Sequence, residues 1–175
     1  GIDRLRGRLY RIRYQNTPHS RPFNLATETD QSLLEMLSSP NGFRRDTAQR
    51  LLSERLLQNR SPQLQHSLHQ LVTDNPQRET RLRCLGILSV AGMLEEPLLL
   101  TLLHDSEPIV RARSIRAARE LRTPSPELLT AALERSSDAA HSVRLQTVVT
   151  AARQPAAAAM PVLVSVLAQA DDDPL

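Results

Sequence analysis

The chain has 175 residues, 40% of them hydrophobic, with two Phe, two Tyr and no Trp. An interior built mostly of Leu and Ala favours helices over an aromatic-rich β-sandwich, and the length suffices for one domain or one elongated array with a continuous core. The formal charge of +3 sets 22 basic residues, all arginine, against 19 interleaved acids. That balance does not imply a nucleic-acid footprint, and no apolar run approaches the roughly 20 residues of a membrane-spanning helix.

In chain order, the opening "GIDRLRGRLYRIRY" lacks the apolar centre of a signal peptide. With its Gly start and its "DDDPL" stop, the chain reads as a piece of something larger. Within "GRLYRIRY", Tyr10, Ile12 and Tyr14 alternate with Leu9, Arg11 and Arg13, the period of a strand. The polar, proline-containing "QNTPHSRPFNLATETD" follows as a linker. Residues 1–29 are therefore expected to be the end of a preceding domain plus a linker, and 30–175 a separate repeat domain.

From residue 30 the pattern changes to short apolar helices: "DQSLLEML", "PQLQHSLHQLV", "EPLLLTLLH" and "PELLTAALER". Asp30, Pro62, Pro97 and Pro126 suit helix N-termini. Each segment is followed by a polar turn and a second helix carrying an arginine, then a small residue three positions on: Arg45 and Ala48, Arg81 and Cys84, Arg111 and Ser114, Arg144 and Thr147. The arginines are separated by 36, 30 and 33 residues, the period of a two-helix repeat. "AAAAMPVLVSVLAQA" reads as the first helix of a fifth unit, with Pro161 kinking it or resetting its start. The predicted fold is all-α: an α-α superhelix, a right-handed solenoid of about four to five helix pairs, with a short extended segment before it.

In three of the four units an Asp or Asn lies six residues before the arginine: Asp105 before Arg111, Asp138 before Arg144, and Asn75 before Arg81; Ser39 precedes Arg45. The Asp–Arg spacing resembles HEAT repeats, whose intra-repeat turn carries an Asp at that distance from an Arg early in the second helix. On a wheel of about 100° per residue, Arg111 falls beside Val110, Ser114, Ile115 and Ala118. A cation on that packed side needs a counter-charge. Arg45, Arg81, Arg111 and Arg144 are thus expected to pair with turn acids, Asp105 and Asp138 among them, in a ladder that sets the register between units.

Two further stretches resemble a bacterial architecture. "GRLYRI", Gly7 to Ile12, is similar to the G-x-[IL]-[YW]-R-[IV] strand that ends a quinoprotein-like β-propeller in large exported planctomycete-type proteins labelled membrane-bound dehydrogenases. "SSPNGFRRDTAQRLLSER" is similar to the opening of the helical array that follows, with Phe43 where that family has tryptophan. A mono-haem c-type cytochrome domain usually comes next. The resemblance implies an exported, periplasmic or membrane-associated parent whose redox chemistry lies elsewhere, since neither the propeller nor a C-x-x-C-H haem motif occurs here.

Other chemistry finds little support. P-loop, G-x-G-x-x-G and G-x-S-x-G patterns are absent. Cys84, the lone cysteine, lies among Leu82, Leu85 and Leu88 and reads as a small buried thiol. His66 and His69 share a helix face but lack the further ligands zinc wants. His19 falls in the linker, His104 at a helix end and His141 in a turn, none with a partner visible in the sequence. Glu95 and Glu96 open a helix, where their charge suits the dipole, and Asp171 to Asp173 sit at the frayed end. Arg113, Arg116 and Arg119 form a basic stripe opposite the buried arc, the candidate surface for an acidic partner.

The expectation is a non-catalytic HEAT-like scaffold without cofactor or metal. It would orient neighbouring domains of its own chain and dock protein on the concave face, with no nucleic acid bound and no insertion into a membrane. The alternatives are a DNA-glycosylase-type HEAT module, for which the stacking aromatics are scarce, and a bilin-lyase-like HEAT protein.

Overall fold

A computed structural model describes Gln15 and residues 23–169. The strand expected over Gly7 to Ile12, with Tyr10 and Tyr14, lies outside the described residues, as do His19 and the Asp171 to Asp173 run. Those described form an all-α structure of nine α-helices, with two short 3₁₀ turns at Leu25–Thr27 and Glu134–Ser137.

Four helix pairs follow one another: α1 (Asp30–Met36) with α2 (Gly42–Asn59), α3 (Pro62–Asp74) with α4 (Arg78–Val90), α5 (Glu96–Leu102) with α6 (Pro108–Glu120), and α7 (Pro126–Leu133) with α8 (His141–Ala151). A ninth helix, α9 (Ala156–Leu167), packs on α8. Starts are set by local chemistry. The hydroxyls of Thr29, Ser61 and Ser125 accept the backbone N–H of Ser32, Leu64 and Leu128 at 3.2, 3.3 and 3.1 Å, each satisfying a donor that the first turn would otherwise leave open. Pro62 and Pro126 stand first in their helices, where proline loses nothing, and Pro97 stands second, after Glu96. The turn that closes α4 places Gly92 at a φ of 62°, which favours glycine. There Gly92 N–H bonds Ser89 O and Met93 N–H bonds Leu88 O, at 3.0 and 2.9 Å, a Schellman closure.

Every helix pair contributes buried leucine or isoleucine to one interior. Leu33, Leu52, Leu68, Leu88, Leu99, Ile115 and Leu128 are fully buried, each worth roughly 1.5–3 kcal/mol of transfer from water. This core runs unbroken from Leu25 to Val143, and a smaller cluster of Ala151, Ala159 and Val162 sits under α9. Second helices pack in sequence order, α2 on α4, α4 on α6 and α6 on α8, while α5 also touches α7.

Three expectations need adjusting. Helix α9 runs through Pro161 as one element, so proline does not reset its start. His141 is the first residue of α8 rather than part of a turn. The segment read as linker contributes Leu25 to the core, and Arg55 fastens it by donating to Ala26 O and Glu28 O at 2.9 and 2.7 Å. Packing therefore begins before residue 30.

Gly86 lies inside α4 opposite α2. A Cβ built there would meet only the Gln49 side-chain nitrogen, at 3.7 Å, an ordinary contact. Gly86→Ala is therefore expected to stabilise the fold by about 0.5–1 kcal/mol through helix propensity. A lower midpoint in urea denaturation would contradict this.

Candidate functional site

The four polar turns share one construction. The side chains of Ser39, Asn75, Asp105 and Asp138 each accept the backbone N–H two residues on, from Asn41, Gln77, Glu107 and Ala140, at 3.2, 2.8, 2.9 and 3.0 Å. This local bond orients the turn and aims any second carboxylate oxygen away from it.

The arginines then use two different turns. Arg45, Arg111 and Arg144 donate through Nη1 to the backbone carbonyl six residues earlier, Ser39, Asp105 and Asp138, at 2.6, 2.7 and 2.9 Å. The six-residue spacing therefore serves a carbonyl within the unit. The carboxylate comes from the unit that follows. Arg111 meets Asp138 through Nε and Nη2 at 2.8 and 2.7 Å, a two-point fork. Arg81 meets both carboxylate oxygens of Asp105 and donates Nε to Val72 O at 2.6 Å. These side chains are 14%, 6%, 9% and 11% exposed for Arg111, Asp138, Arg81 and Asp105, so the two pairs act in a largely dry setting where removal of one partner is costly.

Burial opposes the charge on both Asp105 and Asp138. The guanidinium of Arg81 or Arg111 and the turn N–H outweigh it, holding each carboxyl below the usual range. Arg45 and Arg144 differ. The turn after Arg45 carries Asn75, which brings no charge, and Arg144 Nη2 meets His141 Nδ1 at 2.6 Å.

A groove of about 520 Å3 crosses the second helices α2, α4 and α6. Gln49, Arg83, Gly86, Val90, Arg113 and Arg116 line it, with Glu79 and Glu120 also on its wall. Arg83 is engaged with Asp46 and Gln49 at 2.9 and 2.8 Å, and Arg116 with Glu120 at 2.9 Å. Arg113 is exposed and has no hydrogen bond or ion pair to any described residue. Val90, 65% exposed, adds apolar surface.

Arg119 departs from the expected stripe: its side chain is 9% exposed, its Nε and Nη1 lack hydrogen-bond partners, and its nearest carboxylate, Glu120, is 3.8 Å away. The reason is helical drift. Residues three apart slip by about 60° per step on a 100° wheel, so two steps from Arg113 bring Arg119 round between Ala112 and Ile115, both buried. Only Arg113 and Arg116 share the groove.

Burial pushes the Cys84 thiol up to about 12, so it remains protonated and unreactive near neutrality. His66 is exposed and His69 half-buried on α3. Glu95 caps α5 and accepts from Gln65 at 2.8 Å, while Glu96 accepts the Ser125 N–H at 2.8 Å. Phe43, 60% exposed, stands edge-on to Phe23 at 6.1 Å and lies outside the groove. Among the described residues no group of three or more His, Cys, Asp or Glu is placed to hold a metal, and no helix is long and apolar enough to cross a membrane. Comparison with protein-family models, curated proteins and solved structures finds no match for this chain.

Proposed function

We propose that this chain is a non-catalytic HEAT-like scaffold, a solenoid that holds neighbouring domains at a fixed spacing and takes an acidic protein segment along its second helices. The single observation carrying the reading is Arg113, an uncommitted guanidinium in a groove laid over three consecutive second helices. Arg83 and Arg116 have partners of their own, so Arg113 is the cation there with nothing to give up on binding. Exposed Val90 beside it offers an apolar contact, which suits a peptide carrying both an acid and an aliphatic side chain. On the strength of the two opening motifs, the parent is an exported dehydrogenase-like protein, with the array set between a propeller and a cytochrome domain.

The test is a fluorescence titration of the chain with a labelled Glu-rich peptide of about ten residues containing Leu, at low ionic strength. Binding is expected, weakened about tenfold by Arg113→Glu through the reversed charge and unaffected by Arg44→Glu, an exposed position outside the groove. Equal losses from both variants would leave only unspecific charge attraction. Tighter, salt-dependent retention of a DNA duplex would favour the nucleic-acid alternative instead.

A further inference from the structure

We propose that the face formed by α8 and α9, which no other described helix covers, receives one more amphipathic helix, supplied by a partner protein and led by an acidic turn. It would bind as α8 itself binds on α6 and α7. The inference rests on helix packing and is independent of the groove over α2, α4 and α6.

The first support is an apolar surface in an equivalent place. Between α8 and α9 runs a groove of about 330 Å3 lined by Leu145, Val148, Leu163, Val166 and Leu167, with His141 and Arg144 at the α8 N-terminal end. In two of the three second helices that carry another, the residue after the ladder arginine is covered; in α2 that residue is Asp46, whose side chain is 71% exposed although α4 packs there. In α6, which has α8 packed on it, the residue is Ala112, 4% exposed. In α4, which has α6 packed on it, the residue is Leu82, packed against the core. In α8 it is Leu145, 58% exposed, and Leu167 across the groove is 70% exposed. Two large aliphatic side chains left in water along one seam mark an interaction surface rather than scattered surface leucines.

The second support is charge. Arg144 is 8% exposed and shares two within-unit bonds with Arg111: Arg144 Nη1 donates to Asp138 O and Ala139 O, and Arg111 Nη1 to Asp105 O and Ser106 O; Arg144 Nη2 also meets His141 Nδ1 at 2.6 Å. Arg111 completes its set with the Asp138 carboxylate of the next unit. Among the described residues Arg144 has no carboxylate in ion-pair range. A helix docking on α8 and α9 with an Asp in its leading turn would bring that carboxylate to Arg144 as α8 brings Asp138 to Arg111. Apolar seam and buried cation together specify the occupant: an aliphatic stripe preceded by an acid, read by the helix-in-groove mode.

The probe is a synthetic peptide of residues 136–154, which carries its own turn acid and stripe, titrated into the full chain by fluorescence anisotropy. Saturable binding is expected, abolished by Leu145→Glu in the chain and weakened about tenfold by Asp138→Asn in the peptide, the scale of one charge-assisted bond. Leu145 and Leu167 are exposed, so Leu145→Glu and Leu167→Glu should leave the helical circular dichroism and melting temperature unchanged. They must lower affinity together if the seam is the site. Binding indifferent to both, or no binding, overturns the proposal. So does a concentration-dependent dimer of the free chain dispersed by Leu145→Glu, which would assign the face to a second copy.

Discussion

Replacing Asp138 with alanine is expected to destabilise the chain by about 3 kcal/mol and to lower its melting temperature by roughly 10 °C. The loss is large because Arg111 stays behind, 14% exposed, with its Nε and Nη2 stripped of the carboxylate they both reach. The Ala140 N–H of the turn loses its acceptor as well. The effect has a pH signature. Folding depresses the Asp138 carboxyl, against the cost of burial, through Arg111 and the turn N–H. Its contribution is therefore complete above the unfolded value near about 4 and is lost as pH falls through the lower folded value. Wild type and variant should differ fully at neutral pH and converge in acid. Thermal denaturation across that range measures this, and a gap that stays constant into strong acid would mean the carboxylate charge is not what matters. A cycle with Arg111→Ala isolates the pair, and a coupling of about 1 kcal/mol or more is expected.

Ile115→Ala should cost about as much, roughly 3 kcal/mol, for a different reason. Ile115 is fully buried in α6, a helix that packs on α4, α5, α7 and α8, so the carbons removed leave a cavity on the buried side of a helix held by several others. Such a site collapses poorly. Leu145→Ala provides the contrast: the side chain is 58% exposed, and its truncation should move stability by no more than about 0.5 kcal/mol. Urea denaturation of the two variants with unchanged slopes would test the difference. A loss at Ile115 no larger than at Leu145 would show that α6 is not held by its apolar contacts.

The helix pairs were legible in the sequence because two independent signals coincide, the apolar period and the polar stops. Thr29, Asn41, Ser61 and Ser125 act as side-chain caps, and Pro62 and Pro126 as first residues, at the ends where the apolar stripes begin. The arginines could be placed on the packed side for the same reason. Their partners were harder to read. Spacing along the chain suggests that Arg111 belongs with Asp105, six residues away, whereas the fork goes to Asp138 in the following unit; only the stacking of α6 against α8 brings those two together. Arg119 shows the converse limit. A three-residue spacing looks like one face on paper, but it drifts round the helix until the third member enters the packed side. The groove lining also depends on which helices touch, so Gln49 and Val90 carried no signal in the chain itself.

The joints between consecutive helix pairs are unequal. Between the second and third pairs, and between the third and fourth, a guanidinium and a carboxylate are clamped in a dry seam. Between the first and second pairs the seam has Asn75 instead, and the charged contact is Arg83 with Asp46, whose carboxylate is 71% exposed. Water and dissolved ions compete freely for a contact of that kind. The packing of helix pairs is therefore stiffer at the two later joints and more compliant at the first, so bending strain imposed from outside would collect at the first seam, where α2 meets α4, before the stiffer joints yielded.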